Sequence, residues 1–344
     1  MVDDAMHRTR ITTPLYAMRR DTAILRYEVL QGGISGASTY RVHLPGEQVI
    51  LKITDEDSPA YVRERARREV FFYRDLAHHI PLRIPAVLDS AAGASATWLC
   101  LVSYEPAPPI GTWTEQQYVE IARQLGEFHA AFWDSTQQLS DLPWLRLAMQ
   151  STDPTDILQA ADAWHALPQQ PRFRDILTRV EMEWIESLMH QVARLDVILR
   201  DFPMTLCHGD CHHGNLLLDA DDEWLWADWQ EAGIGRGPED LSFFFQVARA
   251  AGGAVPEAAA IRAYHQSLEA SIGQRIALTD VKRVIDASEL RTLLLLWPPF
   301  LAHMSSRQLA DVLCRLHYLA EKLDAYLSAI DEPAIQHLIT RCPP

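Results

Sequence analysis

The sequence predicts an α+β protein of two lobes, with a small N-terminal antiparallel β-sheet lobe containing one helix, then a larger, mostly helical C-terminal lobe. Three observations carry this. "AILRYEVLQGGISGASTYRVHLPGEQVILKI", residues 23–53, holds three β-rich runs broken by "QGGISGAS" and by "PGE". "EPAPPIG", residues 105–111, gathers three prolines and a glycine into a connector. Beyond it the apolar residues recur at helical spacing. The division expected is a lobe over 1–104 (its first 20 residues an arm), a hinge at 105–111 and a second lobe over 112–344, which 344 residues can fill.

Each element has a local reason. "SPAYVRERARREVFFYRDLAHHI" is helical in composition, with Ser58 as expected N-cap and Pro59 at the first helical position. "AVLDS" and "TWLCLVSYE" supply two more strands, making five. In "TEQQYVEIARQLGEFHAAFWDS" the positions Tyr118, Ile121, Ala122, Leu125, Phe128 and Phe132 form one helical face, and Thr114 with Gln117 fits a capping box. Helical stretches fill 173–200 and most of 255–330, and short β runs occur at "MTLC", "NLLLD" and "EWLWAD". The double proline in "WPPF", 297–300, is expected to kink a helix. Trp113, Trp133, Trp144, Trp164, Trp184 and Trp297 are expected in the core, one or two of them available to line an acceptor pocket.

Composition narrows the function. Residues 1–105 carry 13 Lys/Arg and 13 Asp/Glu, whereas the remainder carries 18 and 33 and so holds the entire net charge of −15. An acidic half repels nucleic acid and anionic membrane and favours cationic ligands; a solvated, solubilising surface gives the same count. The longest apolar run, "LLLLWPPFLA", is too short for a bilayer and contains two prolines. "MVDDAMHRTR" lacks the apolar region of a secretory signal. Five cysteines, odd in number and mostly scattered, argue against a disulfide framework. The expectation is a cytoplasmic protein with no nucleic-acid or membrane partner.

The densest chemistry lies in "LCHGDCHHGNLLLDADDEWLWADW", residues 206–229. One reading is a zinc knuckle of Cys207, Cys211, His212 and His213. Structural zinc usually takes its four ligands as two separated pairs, and here all four fall within seven residues with no second cluster. Adjacent His212 and His213 also point in opposed directions if the segment is extended. The other reading uses Asp210, Asn215 and Asp228. Phosphoryl transfer from a nucleotide needs a carboxylate to accept the acceptor's proton and oxygen ligands to hold magnesium, with positioning doing the rest. A loop and a short hairpin can bring these three together.

"HGDCHHGN" resembles the H-G-D-x-H-x-x-N catalytic loop of the aminoglycoside phosphotransferase and choline kinase-like family, which has a protein-kinase-like two-lobed fold. "ADWQ" resembles its metal-binding segment. The resemblance implies Asp210 as catalytic base, Asn215 and Asp228 as magnesium ligands, and His208 and His212 as supports of the loop. "GPEDLSFF" is similar to the family's D-L-A segment, which makes Asp240 a further support. The N-terminal lobe is consistent with it. Such a fold requires a strand lysine held by a helix glutamate. Lys52 is the first lysine in the chain, and the next is Lys282. "REVFFYRDL" resembles the family's E-x-x-x-Y-x-x-L pattern and selects Glu69 over Glu64, which fits a solvated helix face. Gly33, Ser35 and Gly36 occupy the place of the phosphate-covering loop, and Ser103, Tyr104 and Glu105 that of an adenine-binding hinge. The resemblance covers about residues 24–245; Cys211 and His213 depart from the usual aliphatic residue and proline.

These residues together imply an ATP- or GTP-dependent, magnesium-dependent kinase for a hydroxyl of a small acceptor bound between the catalytic loop and the helices after residue 106. The acidic half favours a cationic acceptor such as an aminoglycoside or another antibiotic, giving resistance by phosphorylation. Alternatives are a choline-, homoserine- or sugar-type metabolite kinase and a catalytically silent binding module. A protein kinase is disfavoured, because Asp228 and Asp240 leave no room for an activation loop and no "APE"-like segment comes after them.

Overall fold

A computed structural model describes residues 7–8, 10–12, 14–15, 24–30, 37–93, 95–147 and 154–328. Its contacts divide the chain into two compact units. One comprises Met1–Trp113, Gln137–Ala148 and His208–Ile234, the other Thr114–Thr136, Met149–Cys207 and Gly235–Pro344.

The first unit is built on a five-stranded antiparallel sheet ordered β1-β2-β3-β5-β4, with β1 Arg26–Val29, β2 Ser38–Leu44, β3 Glu47–Asp55, β4 Val87–Ala92 and β5 Ala96–Val102. Leu44 pairs with Glu47, so Pro45 and Gly46 form the whole β2–β3 turn, with Gly46 at φ 82°. Alternation along β3 buries Val49, Leu51 and Ile53 and turns Lys52 the other way. Those three pack with Tyr40, Val42, Leu44 and Cys100 into a core that also takes Ile11 and Leu15. The N-terminal arm therefore contributes helical, buried residues to the sheet, a role its sequence alone did not indicate. Burying one such side chain stabilises by roughly 1.5–3 kcal/mol.

Helix α1, Ala60–Asp75, buries Val62, Glu69, Val70, Phe72 and Tyr73 on one face, while Glu64 is exposed. Its start differs from expectation. Pro59 is the cap and Ser58 lies outside, because the Pro59 carbonyl accepts the first amides, from Val62 and Arg63, and no side chain caps the end. The connector forms a two-residue strand, β6 Glu105–Pro106, which pairs with β9 Leu216–Leu218; β9 in turn pairs with β10 Trp224–Trp226. The first unit also contains β7 Arg146–Leu147, which runs parallel to the start of β11, Gly233–Gly235.

The second unit is helical apart from the short strand β8, Thr205–Cys207. Helix α2, Glu115–Ala131, starts with the expected capping box and buries Tyr118, Ile121, Ala122, Leu125 and Phe128. At its centre Gly126 allows close approach of a later helix, since a Cβ there would lie 2.6 Å from the Tyr264 carbonyl oxygen. The helix Leu278–Leu295 is buried on nearly every side, as befits a central element. "WPPF" does not kink it. That helix ends at Leu295, and the prolines begin a separate short one, Pro298–Leu301, as residues without an N–H suit a first turn. Trp113 and Trp164 are buried as expected, but Trp133, Trp144, Trp184 and Trp297 are only half-buried. Among the described residues no helix is long and apolar enough to cross a membrane.

Candidate active site

The Lys52 ammonium stands between two carboxylates. Its Nζ donates to Glu69 Oε1 and Oε2 at 2.8 and 3.0 Å and to Asp228 Oδ1 at 2.7 Å. Strand β3 supplies the lysine, α1 the glutamate, and the bend after β10 the aspartate. Burial opposes the ammonium charge, but Asp228 and Glu69 outweigh it and hold the Lys52 pKa above its ordinary value. Glu69 also titrates high. Burial raises it, the Lys52 charge and the Trp229 N–H pull it back, and Asp228 pushes it up again. Two carboxylates share one ammonium, and the deeper one bears the cost.

Asp228 has left-handed backbone, φ 65° and ψ 62°. The next residue, Trp229, is buried, stacked on Phe72 at 4.1 Å and 7°, and its indole N–H donates to the Trp226 carbonyl at 2.9 Å. Phe72 lies three residues past Glu69, so this stack anchors the Asp228 bend to the helix that holds Lys52.

The loop from His208 to Asn215 forms the second half of the site. Asn215 Nδ2 donates to the Asp210 carbonyl at 2.9 Å and to its carboxylate at 3.2 Å. That leaves the amide oxygen of Asn215 as the atom able to face a cation. His212 Nδ1 accepts from the Gly214 amide at 3.0 Å, and its Nε2 lies 3.6 Å from Asp210 Oδ2. His208 is buried; its Nδ1 accepts from the Asp210 amide at 3.3 Å while its Nε2 donates to the Ala227 carbonyl at 3.0 Å, which fixes the neutral tautomer. The Ala227 amide donates back to the Asn215 carbonyl at 2.9 Å. The Asp210 loop and the Asp228 bend are thus tied by two hydrogen bonds. Burial would raise the Asp210 pKa, but the neighbouring His212 and His208 imidazoles and the Asn215 amide hold it below the ordinary value, so the carboxylate is ionised at neutral pH.

Ser103, Tyr104 and Glu105 come directly after β5; the Ser103 amide is engaged with the Gln48 carbonyl at 3.1 Å, and Glu105 lies in β6. Gly33, Ser35 and Gly36 lie outside the described residues. Asp240 is buried in the helical unit near the start of α3, Gly237–Ala250, with His129 Nε2 at 3.1 Å. Among the described residues, one trio of side chains lies close enough to share an ion: His129, Cys207 and Asp240, with ligand atoms within 4.8 Å of one another. That trio differs from the cysteine–histidine set suggested by sequence, and His129 there is already bonded to Tyr264 and Asp240.

Sequence reasoning missed three features. Gly209, at φ 80°, lies so close to Glu231 that a Cβ would fall 2.1 Å from its carbonyl oxygen. Glu231 itself is paired with Arg65, Arg68 and Arg146. Tyr73 is buried near Glu69, Asp228 and Tyr104, which together with burial raise its pKa well above the usual value. The tyrosine stands in the quoted E-x-x-x-Y pattern and could have been found; the arginine set is scattered over eighty residues and could not.

Comparison with known proteins accords with this geometry. The profile described as the phosphotransferase enzyme family matches residues 26–273. The chain belongs to that family and is a phosphotransferase of the kind that acts on hydroxyl acceptors. No curated protein matches significantly. Among solved structures, the GDP and kanamycin complex of APH(2")-IIIa is similar at 14% identity over 92% of this chain and 97% of that one, with a TM-score of 0.58. A Ralstonia eutropha JMP134 protein described as an aminoglycoside phosphotransferase is similar at 14% identity over 94% and 99%, TM-score 0.57. A Haemophilus somnus 129PT protein described as a fructosamine-3-kinase is similar at 11% identity over 90% and 97%, TM-score 0.53. These likenesses establish the protein-kinase-like α+β fold.

Proposed function

We propose that this chain is a cytoplasmic small-molecule kinase that transfers the γ-phosphoryl group of ATP or GTP to a hydroxyl of a small cationic acceptor, an aminoglycoside or another antibiotic, and so confers resistance. The observation that carries the chemistry is the Lys52 ammonium bracketed by Glu69 and Asp228, with an ionised Asp210 in the tied loop.

In this reading Lys52 binds the α- and β-phosphates while Glu69 holds its ammonium in place. Asn215 and Asp228 would hold magnesium. The donor set fits a hard cation, because the Asn215 nitrogen is tied to Asp210 and its amide oxygen is the remaining donor, and Asp228 has a second carboxylate oxygen beyond the one that Lys52 takes. Bound magnesium would neutralise the phosphate charge that grows in the transition state. Asp210 orients the acceptor hydroxyl and takes its proton; a low pKa suits it to orienting and holding the hydroxyl rather than to early deprotonation. His208 and His212 keep the loop in shape, and Tyr104 with Glu105 offers backbone groups to the base.

A metabolite kinase is the second reading, favoured by the likeness to a protein described as a fructosamine-3-kinase. A silent binding module is disfavoured because Lys52, Asp210, Asn215 and Asp228 are all retained. The test is a magnesium-dependent nucleotide-consumption screen, ATP and GTP in parallel, against aminoglycosides, other antibiotics, choline-like amines and sugars. Turnover confined to one antibiotic class supports resistance, and turnover confined to a metabolite refutes it. Nucleotide binding without hydrolysis or transfer under any condition would leave the silent module standing.

A further inference from the structure

Glu231, three residues past Asp228, touches both α1 and the residue before Asp210, two of the places that carry the proposed chemistry. Its carboxylate pairs with Arg65 Nε, with Arg146, and with Arg68 at 3.6 Å. Arg68 also donates to the neighbouring Gln230 carbonyl at 2.6 Å. Arg65 and Arg68 lie one turn apart on α1, and Arg68 immediately precedes Glu69. On its other side the Glu231 carbonyl presses on Gly209, the residue before Asp210. Two residues further on, Gly233 and Ile234 pair with Arg146 and Leu147.

The charge balance is informative. Three guanidiniums meet a single carboxylate in a place where Arg68 is buried and Glu231 has only 13% of its side chain exposed. Burial of Arg68 and the repulsion among these arginines press on the cluster, lowering the pKa of both Arg68 and Arg146. Without Glu231 the mutual repulsion of the cluster would be opposed only by the Glu64 charge and the Arg68 bond to the Gln230 carbonyl, and a buried ion pair stripped of one partner is strongly destabilised.

We propose that Glu231 is a positioning residue, a permanent carboxylate clamp that holds α1, the Asp228 bend and the Asp210 loop in register. Kinases that are switched order the segment after the metal aspartate by adding a phosphate opposite an arginine cluster. Here the negative charge is encoded, so the site is assembled without modification. The catalytic part of this inference rests on the kinase reading; the structural coupling does not.

The experiment separates the two. Hydrogen exchange is measured on full-length protein for the wild type, Glu231→Gln and Glu231→Asp, with turnover normalised to folded protein. In Glu231→Gln, segments 60–75 and 208–216 should both exchange about tenfold faster or more, and kcat should fall by about tenfold or more. Glu231→Asp, which keeps the charge, should recover most of both. For Glu231→Ala, added formate should restore part of kcat, an effect that a purely structural residue would not give. Faster exchange confined to 229–235, with kcat per folded molecule unchanged, overturns the clamp. If Glu231→Gln does not fold, Arg146→Gln weakens the same cluster through a half-exposed side chain, and the same two segments must respond. If the wild type consumes no nucleotide, the kinase reading fails while the exchange data still decide whether the clamp exists.

Discussion

Replacing Gly209 by alanine tests the close packing beside Asp210, and Gly46 supplies an internal control. Both have left-handed backbone, φ 80° and 82°. An L-residue pays ~1–2 kcal/mol for that conformation. They differ in space. A Cβ on Gly46 meets nothing within 4 Å, whereas one on Gly209 would lie 2.1 Å from the Glu231 carbonyl oxygen and 2.8 Å from its carbon. That obstacle is backbone and cannot swing aside. Forcing a methyl into such a place adds ~1–3 kcal/mol. Gly46→Ala should therefore cost ~1–2 kcal/mol and Gly209→Ala roughly 2–5 kcal/mol.

The functional consequence is sharper. Relief at Gly209 must move either the Glu231 segment or the loop that begins with Asp210, and a misplacement of about 1 Å can cost roughly a hundredfold in rate. Urea unfolding gives the stability of both variants, and steady-state turnover gives the rate per folded molecule. Gly46→Ala should lose stability and keep its rate; Gly209→Ala should lose both. Equal stability losses in the two variants, with turnover preserved in Gly209→Ala, would refute the reasoning.

Three further outcomes are expected. Asp210→Ala should lower turnover by about 10²–10⁴-fold with nucleotide affinity little changed, and near-normal turnover would remove the residue from its proposed role. Because the Asp210 pKa is depressed, its ionised form persists from neutral pH down past the ordinary carboxylate value, and the stability it contributes is lost only as pH falls through the folded value. An acid limb of kcat/KM near pH ~6.5 would therefore belong to a histidine, not to Asp210. Lys52→Met should destabilise by about 3–5 kcal/mol at neutral pH, because Glu69 is left buried beside Asp228 without a cation. That loss should shrink as pH falls, since a carboxylate whose folded pKa is raised recovers stability on protonation; unfolding midpoints at acidic and neutral pH check the sign.

Much of this architecture is legible in the sequence. Alternation in "QVILKI" places Lys52 opposite the sheet core, and the lone early lysine leaves little choice. The Thr114–Gln117 box is local chemistry and forms as written. Motif spacing locates Asp210, Asn215 and Asp228 because the loop and hairpin joining them are short. What escapes is long-range. Nothing near Ile11 says that it lies against Tyr40, and nothing near Arg146 says that it meets Arg65 and Glu231. Glu231 reads as one more surface acid. Its role appears only when residues far apart in sequence converge. The prolines after Trp297 show the opposite limit: the break they impose is certain, but whether a helix bends or restarts depends on packing.

The acidic surplus of residues 106–344 can also be refined. The buried carboxylates of the helical unit have partners: Glu289 with Arg249 and Arg315, Asp286 with Lys322 at 2.5 Å, Glu239 with Arg291 at 3.8 Å and Asp240 with His129. Among the described residues of the helical unit the buried acids are thus paired, and its remaining acids lie nearer the surface, where salt screens them. A cationic acceptor would be gathered by a diffuse field and not by one buried acid. Screening shortens from about 30 Å at 0.01 M to about 8 Å at 0.15 M ionic strength. For a cationic acceptor KM should rise over that range while kcat holds, because Lys52, Asp210 and Asp228 act at contact distance. A neutral acceptor should show no such rise. Salt-independent KM for a polycationic acceptor would mean that the surface charge only keeps the protein soluble, and would leave recognition to contacts within the site.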